Sequence, residues 1–279
     1  VPWQVLCERK DARLRVVPIN DRGEIIMEEY EKMLSGKTKI VAINHISNSL
    51  GTINDVKKIT DLAHQNGIPV LVDGAQSIQH QTIDVQELNC DFFAFSGHKI
   101  YGPNGTGVLY GKEKWLEALP PYQTGGEMIH KVTFERTTYN SLPFKFEAGT
   151  PNYVGAIGMA EALNYLQKVG LDEVAAHEKE LLNYATSRLE EIPDLTIYGT
   201  APDKISVISF LIGNIHHYDT GMVLDKLGVA VRTGHHCTEP LMGHFGIEGT
   251  VRCSFAMYNT KDEIDHLYHS LLKVKEMFG

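Results

Sequence analysis

Short apolar runs alternate with polar or helical connectors along the first half of the 279-residue chain. Four of these runs have the length and the β-branched or aromatic content of strands. They are RLRVVPI (13–19), KIVAI (39–43), IPVLVD (68–73) and DFFAFS (91–96). Because strands that alternate with helical connectors are typical of parallel pairing, the pattern predicts an α/β fold with a mainly parallel sheet.

One connector, NDVKKITDLAHQNG (54–67), has the periodicity of an amphipathic helix. Its apolar residues fall on one face, namely Val56, Ile59, Leu62 and Ala63. We expect Asn54 to cap the start of this helix and Gly67 to end it. The helix would then join two of the predicted strands as a βαβ unit.

The rest of the chain is organised differently. Glycine, proline and polar residues dominate PPYQTGGEMIHKVTFERTTYNSLPFKFEAGTPN (120–152), which predicts a long exposed loop able to reach another subunit. Helical patterns follow at 153–168, 172–191, 219–227 and near the C-terminus, and strand-like runs at 204–212 and 229–232. We therefore predict two domains, a large one over 1–165 and a smaller α+β domain over 166–279.

Composition excludes several classes of protein. With 43% hydrophobic residues the chain can bury a sizeable core. Its formal net charge of −9, without any basic run interleaved with aromatic residues, argues against nucleic-acid binding. No apolar stretch is long enough to span a bilayer, and VPWQVLCERK (1–10) lacks the pattern of a signal peptide. We expect neither nucleic-acid nor membrane partners.

The four cysteines lie far apart at Cys7, Cys90, Cys237 and Cys253, and no two of them form a CxxC pair. This usage indicates neither a disulfide scaffold nor a cysteine-based zinc module. The reducing cytoplasm fits it best.

Two predicted strands end in residues suited to ligand binding. Asp73 stands at the carboxyl end of the run 68–73, and Ser96, His98 and Lys99 end or follow the run 91–96. Ligands bind at this edge of open α/β sheets. A lysine between an aromatic strand and a glycine-rich turn is a candidate for desolvation, which lowers its pKa and favours Schiff-base chemistry. A turn cap for Asp73 and a solvated Lys99 remain open as alternatives.

The segment RTGHHC (232–237) allows four interpretations. A zinc site would draw on His235, His236, Cys237 and His244, but adjacent histidines point in different directions, so we expect no metal site. A redox disulfide lacks a partner nearby in the sequence. A plain loop with a small buried thiol is the third interpretation. In the fourth, Cys237 is a nucleophile whose thiolate is favoured by Arg232 and a protonated His235 or His236.

Six segments, in this order and spacing, resemble the SUF-type cysteine desulfurases and selenocysteine lyases of the class V aminotransferase family. They are VDGAQS (72–77), FSGHKIYGPNGTGVLYG (95–111), GGEMI (125–129), FEAGTPN (146–152), RTGHHC (232–237) and VRCSFAMYNT (251–260). The resemblance covers essentially the whole chain. It implies the type I fold of enzymes that use pyridoxal 5′-phosphate (PLP), in which a large domain with a mainly parallel sheet precedes a small α+β domain.

The resemblance also implies a cofactor site. Lys99 would carry PLP covalently, Asp73 would pair with the pyridinium nitrogen, and Gln76 would bond the ring oxygen O3′. Ser96 and His98 would hold the phosphate. A carboxylate beside the ring nitrogen keeps the nitrogen protonated, so the ring can accept electrons from the substrate.

Further residues of the resemblance concern the substrate and a second subunit. Arg252 would bind the substrate carboxylate through its planar fork, assisted by Arg232. Asn48 would contact that carboxylate or the ring oxygen of PLP. Thr150 resembles the residue that reaches the phosphate of the neighbouring subunit's cofactor, which implies a homodimer with shared sites.

The reaction implied by the resemblance converts L-cysteine to L-alanine and leaves a persulfide on Cys237. The sulfur would pass to an acceptor protein of SufE or SufU type for iron–sulfur cluster assembly. Cleavage of L-selenocysteine, or another reaction of the class V aminotransferase family, remains open.

The family places a cofactor-stacking histidine and a phosphate-binding turn upstream of the segment at which this chain starts. We therefore expect the front of the large domain to be missing, with 1–165 forming its C-terminal part. The chain by itself would then be inactive, or would serve as a docking module for the acceptor without doing chemistry.

Overall fold

The structure is a computed structural model that describes residues 1–278. The helices are α1 (Pro2–Lys10), α2 (Met27–Met33), α3 (Val56–Gln65), α4 (Val85–Leu88), α5 (Glu113–Ala118), α6 (Tyr153–Val169), α7 (Leu171–Glu190), α8 (His217–Lys226), α9 (Glu239–Phe245) and α10 (Lys261–Phe278). The strands are β1 (Val41–Asn44), β2 (Val70–Asp73), β3 (Phe92–Ser96), β4 (Gly107–Gly111), β5 (Ile129–Val132), β6 (Thr137–Tyr139), β7 (Leu195–Tyr198), β8 (Val207–Ile212), β9 (Arg232–Gly234) and β10 (Thr250–Ser254). Two short 3-10 helices span Gly97–Ile100 and Phe144–Phe146.

The first sheet has the strand order β1-β2-β3-β4. Strands β1, β2 and β3 run parallel, while β4 pairs with β3 in the antiparallel direction. Asn44 pairs with Asp73, and Asp73 pairs with Ala94, so the carboxyl ends of the parallel strands lie at one edge. The apolar face of α3 buries Val56 and Ala63 in the cluster that covers this sheet. The predicted α/β fold with a mainly parallel sheet is confirmed.

The second sheet lies in the last third of the chain and has the order β7-β8-β10-β9, antiparallel throughout. Helices α7 and α10 pack together beside it. Their apolar faces and strand β8 form one buried cluster, in which Phe210, Leu271 and Val274 are fully enclosed. This is the α+β arrangement expected for the C-terminal part.

Buried contacts join the two sheets. Ile46, just after β1, packs against Ile205, just before β8. His80 and Glu178 form a hydrogen bond of 2.5 Å between the segment after β2 and helix α7. The predicted boundary between 1–165 and 166–279 falls inside α6, and the division at that residue stays a prediction.

The strand predicted over 13–19 is wrong. An isolated bridge joins Ile19 to Ile25, and residues 13–18 adopt no regular structure. Leu14 and Val16 are exposed. A strand requires a partner for its backbone groups, and within residues 1–278 no neighbouring strand pairs with this run.

Helix α3 has a different cap from the one predicted. The side chain of Asp55 accepts a hydrogen bond from the Lys58 N–H, whereas the Asn54 amide donates to the Asn44 carbonyl. Gly67 does lie just beyond the helix, with a φ of +69° that favours glycine.

Two further boundaries differ from the sequence pattern. The stretch 120–152 contains an antiparallel hairpin of β5 and β6, so it is not a loop throughout. The strand predicted over 229–232 begins only at Arg232, as β9. Both differences reflect pairing with a partner strand, which local composition does not reveal.

Asp91 anchors the start of β3, the strand that leads to Lys99. This buried carboxylate accepts hydrogen bonds from His64 Nε2 (2.7 Å), the Val70 N–H (2.9 Å) and Trp115 Nε1 (2.7 Å). Burial alone would raise the pKa of Asp91, but these hydrogen bonds outweigh it and hold the pKa below its ordinary value. The carboxylate therefore stabilises the folded chain in its ionised form.

Asp91→Asn is expected to lower the free energy of unfolding by about 2 to 3 kcal/mol at pH 7, because the new amide group faces donors. A carboxyl group with a lowered folded pKa stabilises above its unfolded pKa of about 3.9, and this contribution is lost as the pH falls through the folded value. The difference between variant and wild type should therefore shrink below about pH 4 in urea titrations.

The matched control is Asp61→Asn on α3. Asp61 forms an exposed i,i+4 pair with Lys57, so its replacement should change stability by less than about 1 kcal/mol. A difference for Asp91→Asn that stayed constant from neutral to acid pH would contradict the role given to this carboxylate.

Candidate active site

The carboxyl edge of the first sheet carries the predicted cofactor residues. Asp73 ends β2 with an exposed side chain whose Oδ1 accepts the Ala75 N–H at 2.9 Å. Ser96 ends β3, partly buried. A cavity of about 420 Å³ opens at this edge, and its lining includes the last residue of each parallel strand, namely Asn44, Asp73 and Ser96. The sequence placed Asp73 and Ser96 at this edge correctly.

Lys99 lies on the 3-10 helix that follows β3. Burial lowers the pKa of its ammonium, an effect that the Asp73 carboxylate opposes and that the guanidinium groups of Arg252 and Arg232 reinforce. The lowered pKa agrees with the predicted desolvation. A larger fraction of Lys99 is consequently a neutral amine, the form that reacts with carbonyl groups and accepts protons.

The segment RTGHHC forms strand β9 and the turn after it, with Cys237 exposed. The Arg232 Nη2 donates a hydrogen bond to the Cys237 Sγ over 3.2 Å. His236 and Cys237 both adopt the left-handed backbone conformation, with φ values of +53° and +63°. Residues other than glycine rarely adopt this conformation. The thiol thus faces solvent on a tightly turned loop with a cation beside the sulfur.

The expectation of a protonated His235 or His236 beside Cys237 is wrong for His236. His236 is buried, and burial first, with help from Arg252 and Arg232, lowers its pKa to about 4. Its Nε2 forms a hydrogen bond of 2.8 Å with the Thr250 hydroxyl. His236 is therefore neutral near pH 7, so the positive charge beside Cys237 comes from Arg232 and not from this imidazole.

Arg252 projects from β10 and is half-buried. Burial lowers its pKa from the usual value, and the neighbouring Arg232 adds to this effect. One guanidinium nitrogen, Nη1, donates to the Asn48 carbonyl at 2.8 Å, while the buried Nε has no partner within residues 1–278. A partly desolvated guanidinium is suited to bind an anionic group such as a carboxylate.

Asn48 contacts both the cysteine loop and Arg252. Its side-chain Nδ2 donates to the His236 backbone carbonyl at 2.6 Å, and its backbone carbonyl accepts from Arg252 Nη1. Asn48 thus connects the cysteine loop with the candidate substrate-binding arginine. Its predicted contact with a carboxylate or ring oxygen stays a prediction.

For three further predicted residues, the structure gives the position and the exposure of the side chain. Gln76 lies partly buried three residues after Asp73, and His98 is exposed on the 3-10 helix of Lys99. Thr150 is exposed just before α6. Their predicted contacts with ring oxygen, phosphate and the partner subunit's cofactor stay predictions.

Sequence reasoning missed Ser49 and Thr238, which contact each other between the segment after β1 and the cysteine loop. No motif marks a contact between residues 189 positions apart.

For metal ions, no group of three or more His, Cys, Asp or Glu side chains in residues 1–278 has a suitable arrangement. No helix in this described part of the chain is long and apolar enough to cross a membrane.

Comparison with known proteins gives a consistent result. The family model described as "Aminotransferase class-V" matches residues 1–267. The chain is 50% identical over 275 residues to a cysteine desulfurase of Synechococcus elongatus, covering 99% of this chain but 44% of that protein. It is 49% identical over 280 residues to a cysteine desulfurase of Escherichia coli O127:H6, covering 100% of this chain and 69% of that one.

Solved structures agree with these relatives. The cysteine desulfurase CsdA from Escherichia coli superimposes with a TM-score of 0.95 at 37% identity, covering 99% of this chain and 69% of CsdA. The apo cysteine desulfurase of Thermococcus onnurineus NA1 gives a TM-score of 0.95 at 36% identity, with the same coverage. The fold is thus that of PLP-dependent enzymes of this class.

The chain belongs to the class V aminotransferase family. Members of this family, including the cysteine desulfurases it resembles, depend on PLP. The residues present fit that cofactor. A half-buried lysine with a lowered pKa lies near the Asp73 carboxylate, and Asp73 and Ser96 line one cavity at the sheet edge where ligands bind.

Proposed function

We propose that this chain carries the active site of a SUF-type cysteine desulfurase, which converts L-cysteine to L-alanine and leaves a persulfide on Cys237. The observation that carries the proposal is the exposed Cys237 Sγ, which lies 3.2 Å from the Arg232 guanidinium. Both groups lie close enough to Lys99 to affect the pKa of its ammonium. The guanidinium donates a hydrogen bond to the sulfur that would act as the nucleophile. The relatives that are named cysteine desulfurases support the same reaction.

PLP would be held by the residues at the sheet edge and the turns after it, namely Lys99, Asp73, Gln76, Ser96 and His98. Bound there, PLP supplies an electron sink for the bond-breaking steps at the substrate Cα. Asp73, as an exposed carboxylate at the end of β2, offers the negative charge that a protonated ring nitrogen requires.

Arg252 would bind the carboxylate of L-cysteine. Its Nη1 donates a hydrogen bond to the Asn48 backbone carbonyl. The Asn48 contact restricts the guanidinium to one orientation before substrate arrives, which reduces the entropy lost on binding. Arg232 adds positive charge on the side of the substrate sulfur.

Lys99 would move the proton at the substrate Cα. Because burial lowers its pKa, the neutral amine is more abundant near pH 7 than for a solvated lysine, so it can accept that proton. The same group can return a proton later in the cycle. The opposing effect of Asp73 keeps the pKa from falling further, which leaves the amine basic enough for this task.

Cys237 would take the sulfur. Its thiolate attacks the sulfur of the substrate, a sulfur–sulfur bond forms, and the substrate Cβ–S bond breaks with its electron pair moving to carbon. Carbon then gains a proton and leaves as L-alanine. The carbon is reduced while the sulfur pair is oxidised to the persulfide level, so the reaction needs no external oxidant.

A homodimer fits the exposed apolar surface near Thr150. Tyr153, Val154 and Ile157 on the first turns of α6 are each more than half exposed. Contiguous apolar surface of this kind is typical of protein interfaces. A second subunit docked there would cover these side chains and bring Thr150 near its cofactor.

The persulfide on exposed Cys237 would pass to an acceptor protein of SufE or SufU type for iron–sulfur cluster assembly. The solvent-facing thiol supports direct transfer between proteins. Four free cysteines, without a disulfide among the described residues, favour the reducing cytoplasm as the compartment.

The test is turnover of L-cysteine by the full-length gene product loaded with PLP. We expect L-alanine to appear, and mass spectrometry should find one added sulfur on the peptide that contains Cys237. D-cysteine is the matched control, because its carboxylate and sulfur cannot both reach Arg252 and Cys237 when its Cα proton faces Lys99. Alanine formation without sulfur on Cys237 would contradict the assigned nucleophile, and no alanine at all would contradict the reaction.

A further inference from the structure

Two hydroxyl groups meet between the segment after β1 and the loop of Cys237. The Ser49 Oγ and the Thr238 Oγ1 lie 2.6 Å apart, and Ser49 is fully buried. Thr238 directly follows Cys237 in the chain. The pair therefore connects an immediate neighbour of the exposed thiol to the body of the protein.

The direction of each proton in this pair follows from the other contacts. Thr238 Oγ1 donates to the His235 carbonyl at 2.7 Å, so its single proton is already used. The Ser49 hydroxyl must then donate to Thr238. The Ser49 carbonyl in turn accepts from the Ser209 hydroxyl on β8 at 2.6 Å. A directed series of hydrogen bonds thus runs from Ser49 through Thr238 into the cysteine loop, with Ser49 itself fixed to the second sheet.

The loop needs such support because its backbone is strained. His236 and Cys237 are consecutive residues with positive φ, a conformation that costs energy for residues with a side chain. The contacts that hold the loop include the Ser49–Thr238 pair, the Asn48 bond to the His236 carbonyl, the His236 bond to the Thr250 hydroxyl, and two bonds from Thr238 to the His235 carbonyl. In this conformation the Cys237 sulfur lies beside Arg232.

We propose that Ser49 and Thr238 are positioning residues for Cys237, whose hydroxyl pair holds the thiol loop in the turned conformation that places the sulfur beside Arg232. This inference rests on the proposed function, because it gives the pair its role in sulfur transfer. Substrate binding at Arg252 does not involve either hydroxyl. Loss of the pair should therefore slow the attack by Cys237 and leave the affinity for L-cysteine unchanged.

The geometry allows a clean substitution. Thr238 is the N-cap residue of α9, but its side chain makes no capping hydrogen bond, so removal of the hydroxyl costs the helix no cap. Thr238→Val keeps the volume and the β-branch and removes the hydroxyl. Thr238→Ser is the matched control, because it keeps the hydroxyl and loses only a methyl group. Ser49→Ala removes the other member of the pair.

The experiment measures two quantities on wild type and variants loaded with PLP. The first is hydrogen exchange of the amides in the peptide covering 232–242, which reports on the loop without any turnover. The second is kcat and KM for L-cysteine. Thr238→Val loses two hydrogen bonds, the one from Ser49 and the one to the His235 carbonyl. We expect it to exchange about tenfold faster in this peptide and to lose about tenfold in kcat, with KM within about twofold. Thr238→Ser should stay close to wild type in both.

A double substitution tests whether the two residues act through one bond. Ser49→Ala combined with Thr238→Val should lose no more kcat than Thr238→Val alone. Additive losses would overturn the pairing. So would unchanged exchange in Thr238→Val, faster exchange with unchanged kcat, or a rise in KM with unchanged kcat.

The exchange measurement separates this proposal from the proposed function. If wild type forms no alanine, the desulfurase assignment fails. Faster exchange in Thr238→Val, restored in Thr238→Ser, would still support the hydroxyl pair as the support of the loop, and unchanged exchange would overturn it. If wild type is active, the split between kcat and KM decides whether the support serves the reaction.

Discussion

Cys237→Ser is expected to lower the formation of L-alanine from L-cysteine by about a thousandfold or more. Serine nearly preserves the size of the side chain and can still contact Arg232, but its hydroxyl stays protonated near pH 7 and is a far weaker nucleophile than a thiolate. No persulfide can form at residue 237. The measurement is chromatography of alanine after incubation of the PLP-loaded full-length protein with L-cysteine.

Substrate binding should survive this substitution, because Arg252 and Asn48 are unchanged. We expect the dissociation constant of L-cysteine, measured by equilibrium titration, to remain within about threefold of wild type. Cys7→Ser on α1 is the matched control and should keep kcat within about twofold. A Cys237→Ser chain that formed alanine as fast as the Cys7→Ser chain would show that another group removes the sulfur.

The sheet edge was predictable from the sequence because topology fixes it. Once the apolar runs are identified as parallel strands, residues at their carboxyl ends must share one edge, as Asp73 and Ser96 do. Lys99 follows for the same reason, since it comes three residues after Ser96. The residues alone made Lys99 a candidate for Schiff-base chemistry and Cys237 one of several candidates, and the resemblance to a known family selected among these roles.

The surroundings of the thiol were not predictable, because they depend on contacts between distant parts of the chain. Asn48 and His236 lie 188 positions apart, and their bond exists only when both sheets are in place. The pattern RTGHHC likewise gives no sign that His236 is buried and neutral while Cys237 is exposed. The strand expected over 13–19 failed for a related reason, since the run offers suitable residues but has no partner strand in the described structure.

Lys99→Ala is expected to abolish covalent attachment of PLP and to lower turnover by about a thousandfold or more. The substitution removes both the amine that would bond the cofactor and the group that would move the Cα proton. Borohydride reduction of PLP-loaded protein fixes the attachment irreversibly, and peptide mass spectrometry then locates it. Wild type should carry the label on the peptide containing Lys99, and the variant should carry none.

Lys204 provides a demanding control. Burial lowers its pKa to about 8, so its amine is also a reactive nucleophile above that pH. However, its Nζ donates to the Gly199 carbonyl at 2.7 Å, away from the edge where Asp73 lies. If a neutral amine alone determined attachment, Lys204 would be labelled at pH 8. Label at Lys99 that persists in Lys204→Met, with no label at Lys204 in Lys99→Ala, would mean that the charged surroundings of Lys99 select the site. Transfer of the label to Lys204 would contradict that selection.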